Sequence, residues 1–582
     1  MPDVATPGQI VSSPVPLGEV TRNVGAMLLA NGDRLGASNA FAQRDGDDYR
    51  FWIWRELVDD VKAFAAFLAA QGLERGDRCA FVTQNGYERA VAELAVMASG
   101  LVSVPIFAGY PKAMMSQLLT FTKAKALVCD APAQLEGLEP GARPALVVGL
   151  KWPGEGVTTF AAALAQGRAT GGATRDVFLA VPAEALALVM FTSGTSGRPK
   201  GVMLTHRNLM SQQRALELLW KPRPGMRLLC YLPWHHSFGG LFERFFALHS
   251  GGCLAIDDSW GRDTKRLIAN FKAIRPNVYF SVPKVYQELV AAVLADKDVE
   301  ATVFNPELDF VFTAAAPLPL SASEVFRAHG VPVVEGWGLT ETSPCCTLTE
   351  RALERTPGVV GRPIPGVEVA LVDDGEIVVR GPNVMQGYLD QPEATREVLD
   401  GDGWFHTGDL GEWTPGGLKI LSRKDRMFKL SNGEKVFPAQ LEETLRASCR
   451  YVKHSFVFGS GQPHPLALLF PSREMFQVKK DGAPADGTCE CPSGDDSLAA
   501  CLATCIHRFN QKATARFERI ERAVVVCAEP SLESGELTPS FKLIPRAVEA
   551  KYRQHMRALE QHADDELPDD AIPVHPGQER KP

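Results

Sequence analysis

LALVMFTSGTSGRPKG, residues Leu186 to Gly201, decides the fold of this chain, because an apolar run leads directly into a loop of small and hydroxylated residues. The run Leu186–Phe191 predicts a buried strand. Glycine backbone N–H groups, hydroxyl donors and the charge of Lys200 are together suited to a polyphosphate. The glycines and hydroxyl residues that provide these donors are Gly194, Gly197, Gly201, Thr192, Ser193, Thr195 and Ser196. A flexible polar loop is the plain alternative, and the spacing is not that of the common G-x4-G-K-[ST] loop.

Helical patterns and short apolar runs alternate on both sides of this loop. Trp54–Leu73 has the periodicity of an amphipathic helix. The runs that predict strands are Cys79–Val82, Ala126–Cys129, Val278–Phe280, Phe310–Phe312 and Val331–Val334. Strands separated by helices indicate an α/β protein with largely parallel sheets.

The pattern changes twice in the second half of the chain. VEVALVDDGEIVVRG, from Val367, predicts two strands joined by a tight turn at Asp374-Gly375, so an all-β segment is expected there. After Leu421 the chain is dense in charge and glycine, and a new helix follows from Ala439. New strands are predicted at Ser455–Phe458 and Leu466–Phe470.

These patterns predict an α/β fold with a large N-terminal domain, residues 1–424, whose last part is rich in β-strands. A small α+β domain is expected over residues 425–555. The final stretch, residues 556–582, is polar and rich in proline, and it predicts a disordered tail.

Composition excludes several classes of protein. The 582 residues are 45% hydrophobic with a net charge of −8, so the chain has no excess of basic residues to attract nucleic acid. The longest apolar stretch, Ala90–Phe107, contains Glu93 and Pro105 and predicts a helix running into a strand instead of a membrane span. The N-terminus lacks the pattern of a secretion signal, so a soluble, cytoplasmic protein is expected.

The twelve cysteines are scattered, which is typical of a reducing compartment. One group, Cys489, Cys491, Cys501 and Cys505, leaves two interpretations open: a zinc or redox site, or a polar surface insertion around Asp481–Asp496. Cys345 and Cys346 are expected to be small apolar residues of the core.

The loop from Phe191 to Gly201 resembles the phosphate loop of the acyl-adenylate-forming superfamily, which contains acyl-CoA synthetases, nonribosomal-peptide adenylation domains and beetle luciferases. The resemblance recurs in family order at six further blocks: LPWHHSFGG (Leu232 on), TAAAPL (Thr313 on), GWGLTET (Gly336 on), HTGDLG (His406 on), SRKDRMFKLSNGEKVFP (Ser422 on) and LTPSFKLIPR (Leu537 on). The last block and GGLFERFFAL, from Gly239, are most similar to long-chain fatty acyl-CoA synthetases.

The resemblance implies an ATP site. Its residues are Thr192, Ser193, Gly194, Thr195, Ser196, Gly197 and Lys200 at the phosphates, Ala315 and Trp337 at the adenine, and Asp409 and Arg423 at the ribose. Thr340 and Glu341 are implied at the phosphates as well, with Glu341 as the Mg²⁺ ligand, and a hard carboxylate oxygen suits that ion. Most relatives have a glycine where this chain has Ala314 and Ala315.

The resemblance also implies the catalytic residues. His236 resembles the residue that gates the acyl pocket, and Lys542 the lysine that contacts the carboxylate and the α-phosphate. Lys429 resembles the lysine of the thioester-forming half-reaction, Asp425 lies at the family's hinge position, and Asn432 and Gly433 are implied to line a CoA tunnel. The resemblance further implies that the N-terminal domain comprises two α/β subdomains plus a β-rich subdomain, and that the C-terminal domain is mobile. Phe541 stands where many relatives have glycine.

The implied function is ATP-dependent activation of a hydrophobic, fatty carboxylic acid to acyl-AMP with release of pyrophosphate, followed by thioester formation with CoA. Two alternatives stay open: a ligase that loads the phosphopantetheine arm of an acyl carrier protein, and a non-catalytic nucleotide-binding relative. Peripheral membrane contact, acyl chain length and oligomeric state are left undecided by the sequence.

Overall fold

The computed structural model describes residues 6, 8–192, 199–314, 318–352, 354–356, 358–372, 374–449, 451–472, 495–513, 515–538 and 541–576. The chain divides into two compact units. The N-terminal unit contains most of the chain up to residue 420, and the C-terminal unit contains residues 408–411 and the chain from 421 onward.

The smaller of two sheets in the N-terminal unit has eight strands. In spatial order they are Gly387–Tyr388, Lys200–Thr205, Leu186–Thr192, Val102–Pro105, Arg78–Val82, Ala126–Cys129, Leu146–Gly149 and Thr158–Thr159. The last six run parallel, and the first two add an antiparallel edge. The predicted strand before the phosphate loop therefore lies third from this edge.

The larger sheet has fourteen strands. In spatial order they are Val11–Ser12, Glu368–Leu371, Glu376–Arg380, Phe405–Thr414, Gly417–Arg423, Val359–Pro363, Thr347–Leu348, Val333–Trp337, Phe310–Thr313, Val278–Ser281, Arg227–Cys230, Cys253–Ile256, Asn39–Asp45 and Asp48–Ile53. Strands Val333–Trp337 to Asn39–Asp45 are parallel. The predicted hairpin at Asp374-Gly375 is confirmed, and its strands extend the same sheet as antiparallel neighbours.

Helices flank these sheets, and the α/β class is confirmed. The α-helices of this unit are Val24–Leu35, Trp54–Ala70, Tyr87–Ala98, Lys112–Thr122, Phe160–Ala169, Arg175–Leu179, His206–Trp220, Arg244–His249, Thr264–Ile274, Pro283–Ala295, Lys297–Val303, Leu320–Ala328 and Pro392–Arg396. Shorter turns of helix are the π-helical Phe238–Glu243 and the 3₁₀ segments Pro132–Gln134 and Thr340–Thr342. The predicted helix from Trp54 ends near Gly72, which adopts a φ of 79° that favours glycine.

The C-terminal unit is a small α+β assembly. Its helices are Pro438–Ser448, Asp495–Lys512, Pro545–Lys551 and Arg553–Gln561, with 3₁₀ turns at Arg516–Glu518 and Asp564–Glu566. A two-stranded sheet joins Phe428–Lys429 to Lys435–Val436. A four-stranded sheet has the order Val452–Phe458, Leu466–Pro471, Arg522–Val526 and Ala571–Val574. The helix predicted from Ala439 and both predicted strands are confirmed.

The prediction of a disordered tail from residue 556 is wrong as far as residue 576. The helix Arg553–Gln561 buries Ala558 and Leu559, and strand Ala571–Val574 pairs antiparallel with Arg522–Val526. Val574 is 1% exposed in the core of this unit. A few apolar side chains thus anchor a segment whose polar composition indicated disorder, and residues 577–582 lie outside the described residues.

In the part of the chain that the structure describes, no helix is long and apolar enough to cross a membrane. The apolar stretch from Ala90 forms the end of helix Tyr87–Ala98 followed by strand Val102–Pro105, as predicted.

A buried carboxylate joins two helices of the N-terminal unit. Glu93, on helix Tyr87–Ala98, is fully buried and lies 2.6 Å from Nη1 of Arg244, at the start of another helix. Arg89 approaches the same carboxylate at 3.3 Å, and the Ser103 hydroxyl donates to it at 2.9 Å. Burial opposes ionisation of Glu93, but Arg244 and Arg89 outweigh it and lower the pKa of the carboxyl group. The cluster is therefore charged and mutually dependent.

Replacing Glu93 with Gln should lower the free energy of unfolding by about 3–5 kcal/mol, because two buried arginines lose their counter-ion. Urea denaturation of both proteins, followed by tryptophan fluorescence, measures the difference. The matched control is Asp33→Asn, whose partner Arg175 lies on the surface, and this change should leave the midpoint close to wild type. Equal midpoints for Glu93→Gln and Asp33→Asn would contradict this account.

Candidate active site

The two ends of the predicted phosphate loop lie side by side. Strand Leu186–Thr192 pairs antiparallel with strand Lys200–Thr205, and Thr192 is the direct partner of Lys200. The hairpin therefore holds a hydroxyl and a cation at the mouth of the loop. The predicted ligands Ser193, Gly194, Thr195, Ser196 and Gly197 lie outside the described residues.

Two predicted groups of opposite charge contact one tyrosine. Glu341 lies in the 3₁₀ turn Thr340–Thr342, and its Oε1 accepts a hydrogen bond of 2.9 Å from the hydroxyl of Tyr388. Nζ of Lys200 lies 4.7 Å from the centre of the same ring. Both Glu341 and Tyr388 are buried, at 8% and 5% exposure. The structure thus brings together the cation predicted for the phosphates and the carboxylate predicted for Mg²⁺.

Thr340 connects this pair to the histidine loop. Its hydroxyl donates to Oγ of Ser237 at 3.1 Å, and the neighbouring His236 is exposed. The backbone of the loop is held by a hydrogen bond from Gly240 N–H to the carbonyl of His236 at 2.8 Å. The loop therefore places His236 and Thr340 in one neighbourhood, and Nδ1 of His236 accepts a hydrogen bond of 3.3 Å from the backbone N–H of Phe238.

His235 has a different environment from its neighbour. Its ring packs on Phe107 at 4.8 Å between centres. Burial, with the nearby Arg89 and His236, lowers the pKa of His235 to about 3. This imidazole is therefore neutral at physiological pH and carries no charge into the site.

The residues predicted around the adenine are partly described. Trp337 ends strand Val333–Trp337 and is half-buried, while Ala315 lies outside the described residues. The chain beyond Ala315 is held at Leu318, whose carbonyl accepts a hydrogen bond from Arg355. Arg355 in turn pairs with the buried Glu335 at 2.5 Å. A buried ion pair thus supports the segment after the predicted floor of the pocket.

The predicted ribose ligands meet in the C-terminal unit. Nη1 of Arg423 donates to Oδ1 of Asp409 at 3.0 Å, and Nε of Arg423 lies 3.9 Å from the hinge candidate Asp425. Gly408 has a φ of 69°, and a side chain there would come within 3.1 Å of the Arg423 guanidinium. The glycine of this motif thus allows the backbone to pass close to the arginine.

Lys429 and the predicted CoA-tunnel residues share one hairpin. Lys429 is the partner of Lys435 in the two-stranded sheet. In the turn, Asn432 donates through its amide to Glu434 at 2.7 Å, and Gly433 has a φ of 84°. These three predicted residues are therefore brought together, at a tight polar turn.

Lys542 lies on a separate turn of the same unit. An antiparallel bridge joins Leu537 to Leu543. The backbone N–H of Thr538 donates to the Lys542 carbonyl at 2.8 Å, and the backbone N–H of Lys542 donates to Oγ1 of Thr538 at 3.1 Å. Phe541 has a φ of 58°, in the left-handed region that favours glycine. Glycine adopts this backbone conformation without strain, which explains why it suits position 541. In this chain a half-exposed phenylalanine adopts the same conformation.

Sequence reasoning missed Tyr388 and gave no role to Ser237. Tyr388 lies 47 residues beyond Glu341 in a two-residue strand, and no local pattern marks it. Only its strand pairing beside Lys200 reveals the contact.

The two interpretations of the cysteine group stay partly untested. Cys489 and Cys491 lie outside the described residues, and Cys501 and Cys505 lie on helix Asp495–Lys512 beside a hydrophobic cluster. Among the described residues, no cluster of three or more histidine, cysteine or acidic side chains is placed to hold a metal ion. Cys345 and Cys346 are buried in the core, as predicted.

Two family models match the chain. The model described as AMP-binding enzyme matches residues 32–389, and the model of the AMP-binding enzyme C-terminal domain matches residues 425–564. The first match covers more than half of the chain.

Curated relatives agree with these models. The chain is 28% identical to peroxisomal long chain acyl-CoA synthetase 7 of Arabidopsis thaliana, over 85% of this chain and 79% of the relative. It is 27% identical to a long-chain-fatty-acid–CoA ligase of Mycobacterium bovis, over 94% of this chain and 98% of the relative.

Solved structures share the fold. ATP-bound MatB from Rhodopseudomonas palustris superposes with a TM-score of 0.72 at 25% identity, covering 92% of this chain and 99% of that chain. The adenylation domain of a carboxylate reductase from Mycobacterium chelonae gives a TM-score of 0.74 at 22% identity, and the superposition covers 94% of this chain and 92% of that chain. The chain therefore belongs to the AMP-binding enzyme family, and it is an enzyme of the AMP-forming acid–thiol ligase class.

Replacing Phe541 with Gly should stabilise the Lys542 turn, because a left-handed residue with a side chain costs about 1 kcal/mol that glycine avoids. Hydrogen exchange of the full chain, read on peptides that cover residues 536–544, should slow by about fivefold. Phe541→Ala is the control, since it removes the ring and keeps the strained backbone. Equal slowing in both variants would show that the ring, and not the backbone conformation, limits the turn.

Proposed function

We propose that this enzyme activates a long-chain, hydrophobic carboxylic acid with ATP and transfers the acyl group to CoA. The observation that carries the proposal is the arrangement of Lys200, Glu341 and Thr340 around Tyr388 and Ser237 at the mouth of the phosphate loop. It offers a cation and a hydroxyl to a polyphosphate, and a carboxylate to the Mg²⁺ that accompanies the polyphosphate. The similarity to long-chain-fatty-acid–CoA ligases supports the choice of acid and acceptor.

The apolar surroundings of the histidine loop support a hydrophobic acid. Phe238, two residues after His236, packs on Phe312 with ring centres 5.6 Å apart, and Phe242 packs on the same ring at 4.7 Å. Phe312 lies on the strand that leads to the predicted floor of the acyl site. These three rings are almost fully buried. An acyl chain that reached past His236 would therefore have aromatic neighbours.

In the first half-reaction, a carboxylate oxygen of the acid attacks the α-phosphorus of ATP. The new O–P bond forms as the bond to the β-phosphate oxygen breaks, and pyrophosphate leaves. Lys200 and Lys542 would stabilise the negative charge on the phosphate oxygens, and Asp409 and Arg423 would hold the ribose. Trp337 would pack against the adenine.

Glu341 fits the role of the Mg²⁺ ligand. It is a hard, mostly buried oxygen donor beside the phosphate loop, and Mg²⁺ in such sites is held by one or two carboxylates together with substrate phosphates. When bound, Mg²⁺ supplies positive charge to the phosphate oxygens. Thr340 would add a hydroxyl donor to the same phosphates.

In the second half-reaction, the sulfur of CoA attacks the acyl carbon and AMP leaves. The C-terminal domain, proposed as residues 425–555, would turn about Asp425 between the two steps. Lys542 would then leave the site, and the hairpin of Lys429, Asn432 and Gly433 would face the thiol. One site would thus serve two reactions in sequence.

Variants of Lys542 and Lys429 test which lysine serves which half-reaction. Lys542→Ala should reduce acyl-AMP formation by at least 100-fold and keep ATP binding, because transition-state charge loses a partner. Lys429→Ala should form acyl-AMP at the wild-type rate and lose acyl-CoA formation. Mass spectrometry of acyl-AMP and acyl-CoA in single-turnover reactions measures the two half-reactions separately in each variant.

Lys453→Ala is the control for charge removal, because this lysine is half-exposed and pairs with Glu529 on the surface of the C-terminal unit. Turnover in Lys542→Ala equal to Lys453→Ala would contradict the assignment. Wild-type enzyme that transfers the acyl group to a phosphopantetheinylated carrier protein and not to CoA would favour the carrier-loading alternative. ATP binding without any acyl-AMP would favour a non-catalytic relative.

A further inference from the structure

We propose that Tyr388 is a positioning residue of the adenylation half-reaction, which orients the Glu341 carboxylate toward Mg²⁺ and the Lys200 ammonium toward the phosphates. The inference rests on the proposed function, since it concerns how the same site binds MgATP. Tyr388 need not touch the reacting atoms for this role, because it contacts both charged groups directly.

The backbone of Tyr388 is fixed to the strand that carries Lys200. Strand Gly387–Tyr388 pairs antiparallel with strand Lys200–Thr205, with Tyr388 opposite Val202. Backbone hydrogen bonds on either side, from Leu389 N–H to the Gly201 carbonyl at 2.8 Å and from Gln386 N–H to the Met203 carbonyl at 3.0 Å, continue this pairing. The backbone of Tyr388 is therefore fixed at this edge of the sheet.

A second set of contacts, with Thr395, holds the backbone of the same two-residue strand. The backbone N–H of Tyr388 donates to Oγ1 of Thr395 at 2.9 Å. Gly387 has a φ of 143°, and a side chain there would come within 2.9 Å of the Thr395 methyl group. The segment Pro392–Arg396 thus packs close against the tyrosine and limits its movement.

Glu341 is attached to the same segment at two points. The tyrosine hydroxyl donates to Oε1, and the backbone N–H of Met385 donates to the Glu341 carbonyl at 2.8 Å. A hydrogen bond to an ionised carboxylate is stronger than one between neutral groups. The hydroxyl therefore sets the rotation of the carboxylate, and partners behind a metal ligand strengthen metal binding in this way.

The ring gives Lys200 a partner that does not neutralise it. A cation 4.7 Å from the centre of an aromatic ring is attracted to the ring face and keeps its full charge. An acidic partner would instead compete with the phosphates for the ammonium group. One rigid side chain thus sets the positions of a cation and a carboxylate with respect to one another.

Calorimetric titration of ATP, with and without Mg²⁺, tests the proposal independently of turnover. Wild-type enzyme should bind ATP more tightly with Mg²⁺. Tyr388→Phe keeps the ring and loses the hydroxyl, so it should lose about 10- to 100-fold of the Mg²⁺-dependent gain and keep its affinity for metal-free ATP. Tyr388→Leu loses the ring as well, so metal-free ATP should also bind several-fold more weakly.

Two controls separate positioning from general damage. Tyr49→Phe removes a tyrosine hydroxyl on the edge strand Asp48–Ile53 of the larger sheet, where it donates to the Ile256 carbonyl, whereas Tyr388 lies in the smaller sheet. This change should leave the affinities for MgATP and for metal-free ATP unchanged. In a Glu341→Gln background, Tyr388→Phe should have no further effect on the Mg²⁺-dependent gain.

The proposal is overturned if Tyr388→Phe keeps the Mg²⁺-dependent gain within twofold of wild type, or if Tyr49→Phe loses as much of that gain as Tyr388→Phe does. Failure of the proposed function gives a different result, because wild-type enzyme would then bind MgATP and form no acyl-AMP with any acid. A thermal melt of each variant confirms that the compared proteins are folded.

Discussion

The N-terminal unit depends on a carboxylate that has no access to water. Glu93 is held between Arg89 and Arg244, and the Arg244 guanidinium also lies 4.8 Å from the centre of the Trp234 ring. Nε of Arg244 donates to the carbonyl of Gly240 at 3.1 Å, in the glycine pair after the histidine loop. The charge cluster thereby reaches from helix Tyr87–Ala98 to the loop that carries His236.

A chain of short contacts continues from this cluster to the site. Trp234 precedes the two histidines, Ser237 bonds Thr340, and Glu341 bonds Tyr388 beside Lys200. The hydrogen bonds between Thr340 and Ser237 and between Tyr388 and Glu341 join segments that are distant in sequence, and these four residues are buried or half-buried. The predicted charged groups are therefore held by packed and hydrogen-bonded neighbours, as pre-organised electrostatic catalysis requires.

Sequence reasoning could predict those parts of the structure that depend on short stretches of neighbouring residues. The alternation of strands and helices and the hairpin at Asp374-Gly375 follow from periodicity and turn chemistry. The motif resemblance named Asp409 and Arg423 as ribose ligands, and the structure shows that they are hydrogen-bonded to each other. The three-dimensional partners of these motifs could not be predicted in the same way. Glu93 and Arg244 are 151 residues apart, and only the fold brings them together.

Composition and motif comparison also failed in specific places. The tail beyond residue 556 is polar on average, yet Leu559 and Val574 are enough to anchor it, because packing depends on individual side chains. Phe541 departs from the glycine of many relatives, and its left-handed backbone shows that the turn is retained at a cost. The acid's chain length stays beyond sequence reasoning, since such a pocket is lined by dispersed apolar side chains.

The central claim is that this site joins a fatty acid to AMP, and pyrophosphate–ATP isotope exchange without a thiol tests it most directly. A panel of acids should give exchange that depends on Mg²⁺ and is fastest with long-chain aliphatic acids. Exchange that is fastest with a short or aromatic acid would keep the adenylation chemistry and contradict the substrate class. No exchange with any acid, in a preparation that binds ATP, would contradict the account as a whole.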